Sequence, residues 1–300
     1  MNRPFLQKHA SKLALLSASF IWGITFPLGK YVITQMPVFA YLGLRFFMAW
    51  LLLGFLRHSH LKRAQRRDWV LSVWIGVALF GAFAFQTIGL VYTTAAKTSF
   101  ATGLYVVFVP FLYFAFFRTP LTRPAIFAAL LGGVGMALLG GDFSGLLDWD
   151  FGVTLVMISA LFTALQIVGI GRYARQIDPS VLTFAQIGVV AFLSLLAAFL
   201  FESWPSTLSW ATWLSIVFLA VFATIIAYFI QCRVQQEISH TATAVILAME
   251  SVFGALLSWL FLGETLNRLM LSGGALLVTA MLIAQWEGSP AEENACAEPE

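Results

Sequence analysis

The chain reads as five apolar spans written twice, at a register of 141 to 142 residues, and an odd number of spans per copy forces the copies to cross a membrane in opposite senses. At 142, Ser17 falls on Ser159, Ala18 on Ala160, Phe20 on Phe162, Lys30 on Arg172, Tyr31 on Tyr173 and Pro37 on Pro179. At 141, Trp69 falls on Trp210, Ala82 on Ala223, Ala101-Thr102 on Ala242-Thr243, Leu130 on Leu271 and Gly132-Gly133 on Gly273-Gly274. So apolar an alphabet yields chance identities, so the paired Pro, Trp and Gly-Gly positions carry the weight. Those residues are not interchangeable filler.

Candidate spans are 13–34, 39–57, 69–91, 97–117, 122–141, 150–171, 181–201, 208–231, 240–262 and 267–286. Each is near the ~20 residues a helix needs to cross a ~30 Å hydrocarbon core. With 60% hydrophobic and 10% charged residues and a mean hydropathy of +0.87, the chain is an integral membrane protein. Barrel strands would alternate in polarity over ~10 residues, a pattern absent here, so the expected fold is all-α. The first span is long, contains Lys30 and is followed by nine similar segments, which reads as a retained helix rather than a signal peptide.

The expected division is an N-terminal cytoplasmic segment 1–12, a first five-helix repeat 13–141, a linker 142–149, a second repeat 150–286 and a disordered tail 287–300. Lysine and arginine set the orientation. With the N-terminus inside, the cytoplasmic segments hold Arg3, Lys8, Lys12, the basic loop Arg57 to Arg67, Arg118, Arg123, Arg172, Arg175 and Arg233. Both termini are then cytoplasmic, and the net charge of +3 is largely a topology signal that also suits anionic lipid, with no nucleic acid needed. His58-Ser59-His60 has a metal-compatible spacing but reads as solvated loop. Cys232 and Cys296 both fall on the reducing side, so no disulfide is expected. Most connections are under ten residues, which predicts antiparallel neighbours in sequence order. No room remains for a nucleotide-binding domain, the phosphate-loop pattern is absent, and no cofactor is implied.

Glu250 is the sharpest candidate for function, because it lies about ten residues, or ~15 Å, inside its helix. Ionisable groups at that depth face a cavity or a partner, and this one could take up a proton. The competing reading is a structural carboxyl hydrogen-bonded to a neighbour. Thr243, Glu250, Gly254 and Ser258 share one helical face. Similar stripes are Thr98, Thr102 and Tyr105; Ser159, Thr163 and Gln166; and Thr224, Tyr228 and Gln231, with Gln86 as a lone amide. Singly each suits interhelical packing; together they favour a shared cavity.

Lys30, Arg45 and Lys97 fall toward the outer side, against the usual bias. They suit either a cationic cavity that attracts a carboxylate while Glu250 holds an ammonium, or side chains snorkelling to the interface. Glu250 aligns with Val109, Lys97 with Ile238 and Arg45 with Ile187, so these charges break the repeat. Pro27, Pro110, Gly23 and Gly103 could bend helices, and Trp22, Tyr92 and Tyr105 could stack on a ligand.

The run Glu250-Ser251-Val252-Phe253-Gly254-Ala255-Leu256-Leu257, followed by Leu260-Phe261-Leu262-Gly263-Glu264, resembles the second repeat of EamA-type members of the drug/metabolite transporter superfamily. Trp22-Gly23, Tyr92-Thr93-Thr94-Ala95 and Pro110 look like the first repeat, and the likeness covers residues 13 to 286. It implies ten helices in two inverted five-helix repeats, a central cavity and alternating access without ATP. Carried over, the cavity would recruit Trp22, Gln86, Thr102, Gln166, Tyr228 and Glu250, beside Arg45, Lys97 and Tyr105 from the residues themselves. Phe117-Arg118-Thr119-Pro120 departs from Leu262-Gly263-Glu264-Thr265 of the second half, and Ser251 stands where a proline often follows the glutamate. The stretch from Thr102 to Pro110 looks like the exporter branch for aromatic and other neutral amino acids.

The expected function is therefore a secondary transporter that exports amino acids or similar small metabolites across the bacterial inner membrane, with a monomer sufficient. The alternative is proton-coupled efflux of hydrophobic cationic drugs. A remote third is an intramembrane enzyme using Glu250 and His240, which stand ~15 Å apart along the helix and lack a nucleophile.

Overall fold

The computed structural model describes residues 3–118, 120–140, 150–237 and 240–285. The expected linker and tail lie outside these. Among the described residues ten helices follow: α1 (Arg3–Ile33), α2 (Val38–Leu61), α3 (Arg66–Tyr92), α4 (Ala95–Phe117), α5 (Arg123–Gly140), α6 (Phe151–Tyr173), α7 (Pro179–Phe201), α8 (Trp210–Val234), α9 (His240–Leu262) and α10 (Arg268–Gln285). Seven are long and apolar enough to cross a membrane; α5, α9 and α10 carry shorter apolar stretches, Ile126–Leu138, Ile246–Leu262 and Arg268–Ala280.

Local chemistry sets the starts. Asp150 and Ser209 accept hydrogen bonds from the backbone N–H three residues on, capping α6 and α8. Asp178 accepts from Ser180 N, with Pro179 at the first position of α7, where its missing N–H costs nothing. Two boundaries differ from the sequence expectation. Helix α1 begins at Arg3, since Pro4 sits in a first turn that tolerates it. Helix α2 continues to Leu61 across a kink at Arg57 (φ −119°, ψ 15°), so His58 and His60 belong to its last turn rather than to a loop. No group of three or more metal-ligating side chains occurs among the described residues.

Two helices are interrupted at mid-depth. Helix α4 consists of Ala95–Thr102 and Tyr105–Phe117, joined through Gly103 and Leu104. There Gly103, Leu104 and Val106 N–H donate to Phe100, Ala101 and Gly103 carbonyls, three residues back, which tightens the turn. Helix α8 widens into a π-helix over Leu219–Ile226.

The expected neighbour pairing is overturned. Consecutive helices touch little, whereas α3 runs along α6 and α7, α2 along α7, α1 along α9 and α5 along α10. Each repeat thus buries its small-residue faces on the other repeat. The contact between α3 and α6 shows why: a Cβ on Gly89 would lie 2.8 Å from Gly152 O, and one on Gly152 would lie 2.6 Å from Gly89 O. Only glycine lets the two backbones approach so closely.

Polar links sort the helix ends into two faces. On one, His60 pairs with Asp178 at 2.9 Å, Arg67 donates to Gln176, Arg175 Nε to Gln236 O, and Ser11 to Glu237. This face carries the basic connection between α2 and α3 and the start of α1. On the opposite face Glu202 accepts from Phe39 and Ala40 N–H, and Glu264 from Ala95 and Ala96 N–H. His60 and Glu202 are repeat mates at a register of 142, so the ends of α2 and α7 latch reciprocally.

Candidate functional site

A small cavity lies between the repeats. Its wall includes the interruptions just described: Thr102 and Tyr105 flank the break in α4, while Tyr228 and Gln231 follow the π-helix of α8. Trp22, Arg45, Gln86, Gln166 and Glu250 also line it.

Arg45 is 2% exposed and is held by neutral groups alone. Its Nε donates to Thr224 Oγ1 at 2.9 Å and its Nη1 to Tyr41 Oη at 3.1 Å, while Phe46 and Phe83 each lie 5.1 Å from the guanidinium carbon. Its Nη2 has no protein partner. A buried guanidinium with an unused donor demands an anion or water, because its desolvation is costly. The π-helix makes this placement possible. Thr224 Oγ1 donates to Leu219 O five residues back, and Trp22 Nε1 donates to Ala223 O at 2.8 Å, using a carbonyl of the distorted segment.

Glu250 is 7% exposed, and among the described residues no hydrogen bond or ion pair reaches its carboxyl. It shares the cavity with Arg45 without forming a salt bridge to it. Tyr105 Oη is likewise buried without a partner. Aromatic rings form much of the remaining wall: Tyr228 stands 5.0 Å from Trp22 and 6.2 Å from Phe83, centroid to centroid. Gln86 Nε2 donates to Thr102 Oγ1 at 3.0 Å, and Gln166 exchanges hydrogen bonds with Gln231.

Lys97 stands apart. Its ammonium donates to Asp150 Oδ2 at 3.0 Å, and Thr93 Oγ1 donates to the same oxygen at 2.6 Å. This pair ties the corner between α3 and α4 to the start of α6. Lys30 Nζ donates to the carbonyls of Leu90 and Thr93, filling acceptors at the end of α3. Neither cation reaches the cavity. The polar stripe on α9 also divides: Glu250 faces the cavity, whereas a Cβ on Gly254 would meet Phe26 and Ser99, and Ser258 bonds back to Gly254 O. Ser159 donates to Ala82 O across a helix contact. The side chain of His240 lies outside the described residues.

Thr25 and Phe83 line the cavity but were not singled out in the sequence. Each is three residues from a singled-out neighbour, Trp22 and Gln86, and spacing of that kind could have found them.

Inverted five-helix repeats around a buried polar cavity define a membrane transporter. Residues 10–141 and 150–285 each match the EamA-like transporter family, and the chain belongs to it. An uncharacterized transporter of Archaeoglobus fulgidus is 33% identical over 272 residues, covering 90% of this chain and 84% of that protein. The uncharacterized transporter YvbV of Bacillus subtilis is 22% identical, with 93% and 92% covered. A solved structure described as a crystal structure of a protein superposes with a TM-score of 0.67 at 21% identity, covering 92% of this chain and 96% of that one, and so shares the fold.

Proposed function

We propose that this transporter exports amino acids or similar small zwitterionic metabolites across the bacterial inner membrane by alternating access, with both termini cytoplasmic and a single chain sufficient. The observation that carries the reading is the pair of opposite charges in one cavity, Arg45 with a free Nη2 and Glu250, whose carboxyl meets no hydrogen-bond or ion-pair partner among the described residues. A substrate carboxylate satisfies the guanidinium, and a substrate ammonium or a proton satisfies Glu250. Either group alone in the buried cavity is unfavourable, so each favours a ligand of the opposite sign.

A second reading, efflux of hydrophobic cations, draws on the aromatic wall of Trp22, Phe83 and Tyr228 beside Glu250. Counterflow in proteoliposomes separates the two, with neutral amino acids and lipophilic cations as parallel substrates. Saturable amino-acid counterflow that Arg45→Ala weakens about tenfold or more supports the zwitterion site. Cation transport indifferent to Arg45→Ala, with no amino-acid flux, replaces it with the second reading.

A further inference from the structure

Beneath the cavity, a column of buried polar side chains runs toward the basic face. Gln166 and Gln231 form its upper end, since both line the cavity. Gln166 Nε2 donates to Gln186 Oε1 at 2.9 Å, and Gln186 Nε2 donates to Leu182 O and to Cys232 Sγ, the latter at 3.6 Å. A Cβ on Gly76 would lie 3.0 Å from Gln186 Cα, which fixes the level of α3 against α7. The two helices run in the same direction, so Ser72 and Thr183, about one turn earlier on each, share the next layer. Ser72 Oγ and Gln235 Oε1 are buried without a protein partner, and Thr183 lies within hydrogen-bonding reach of the Cys232 thiol. Leu71, next to Ser72 in the chain, lines an open basin on the basic face together with Arg67, Asp68, Gln176 and Ile177.

Two orphaned polar atoms in one buried region need hydrogen-bonding partners, and water is the partner that fits such a site. Hydroxyl, amide and thiol groups are mostly able both to donate and to accept, which suits a hydrogen-bonded file. A hard cation would call for several convergent oxygens with carboxylates among them, and the column residues include none. Ile75, Ile170 and Leu182 belong to the apolar cluster that packs around Cys232 beside the column.

We propose that this column is a water file that carries protons between the Glu250 cavity and the basic face while the substrate route on that side is closed. The inference rests on Glu250 as the proton-binding group of the proposed transporter. Glu250 is joined in the cavity by Arg45 of α2, Tyr105 of α4 and Tyr228 of α8, and the file supplies its proton from the column side. The repeat gives no equivalent on the opposite side: at 141 to 142, Gln231 corresponds to Gly89 or Leu90, and Ser72 to Trp213 or Leu214. Proton access is thus built into one half of the transport path only.

The test has two readouts on the full chain in proteoliposomes. Hydroxyl-radical footprinting, with Cys296→Ser leaving Cys232 as the single thiol, should oxidise Cys232 about tenfold faster than Met136, which is equally buried where α5 packs on α10. Equal rates overturn the proposal. Ser72→Ala combined with Thr183→Val should keep amino-acid counterflow but lower substrate-driven proton movement about tenfold. Counterflow and proton movement falling together would mean a structural or gating role and overturn it. Wild-type counterflow without proton movement overturns it while leaving the proposed function standing. Rapid Cys232 oxidation and proton-coupled flux of a lipophilic cation, without amino-acid flux, would remove the substrate assignment and keep the water file.

Discussion

Arg118 and Gly263 end the equivalent helices α4 and α9 in the same left-handed backbone conformation, φ 55° and 64°. The sequences Phe117-Arg118-Thr119-Pro120 and Leu262-Gly263-Glu264-Thr265 therefore place different residues on one geometry. Glycine adopts it freely, whereas a residue with a Cβ is disfavoured there by about 1 kcal/mol. Arg118→Gly should raise the thermal stability of the detergent-solubilised protein, and Gly263→Ala should lower it by about 1 kcal/mol. A less stable Arg118→Gly variant would show that the arginine side chain outweighs its backbone cost.

Placing a methyl group between α3 and α6 should be worse. Gly152→Ala would press its Cβ against Gly89 O and the Thr93 backbone nitrogen, atoms that cannot rotate away. The expected loss is about 2 kcal/mol, within the range of overpacking. Gly133→Ala is the control, since no atom lies within 4 Å of its would-be Cβ. Equal unfolding temperatures for the two variants would refute the close contact.

Thr224→Val should leave Arg45 Nε without its acceptor at the π-helix. Substrate affinity should fall about tenfold, the usual scale for unpairing a buried charged donor, and Thr224→Ser should restore it. Failure of the serine to restore affinity would point to packing by the threonine methyl instead.

Lys97 and Arg45 should separate in kinetics. Lys97→Met removes the tie to Asp150 at a helix corner and leaves the cavity intact, so KM should stay within about twofold while the maximal rate changes. Arg45→Ala should act mainly on KM. A KM increase of similar size in both would return Lys97 to the substrate site.

On the basic face, partial burial pushes the Asp178 carboxyl up, but hydrogen bonds from His60 and Ser180 outweigh it and hold its pKa below the ordinary value. A lowered folded-state value means that its stabilising contribution is complete above the unfolded pKa of ~3.9 and is lost as pH falls through the folded value. Asp178→Ala should therefore cost a constant amount, about 1 kcal/mol from the lost cap, between pH 5 and 8. Unfolding temperatures of variant and wild type should converge only in strong acid; a difference that grows or shrinks across pH 5 to 8 would assign the effect to His60.

The spans were legible because membrane depth demands long apolar runs, and Arg45 and Glu250 stood out as charges inside them. Lys97 did not reveal its role, because its partner Asp150 is 53 residues away and no local pattern links them. The interruption of α4 had a local marker in Gly103. That of α8 had none: Leu219-Ala220-Val221-Phe222-Ala223-Thr224-Ile225-Ile226 contains neither Gly nor Pro, and the partners of the widened segment, Trp22 and Arg45, lie on other helices. Helix pairing was also hidden, since short loops set chain order while small residues set which faces meet.

The bare meeting of Gly89 and Gly152 has a thermodynamic corollary for the proposed alternating access, in which the halves part and rejoin. Backbone against backbone involves no rotamers to freeze and no long side chains to rehydrate, so separation and return involve little entropy change at that point. The contact behaves as a key that fits one register only, because a shift by a single residue on α6 would set a side chain against Gly89.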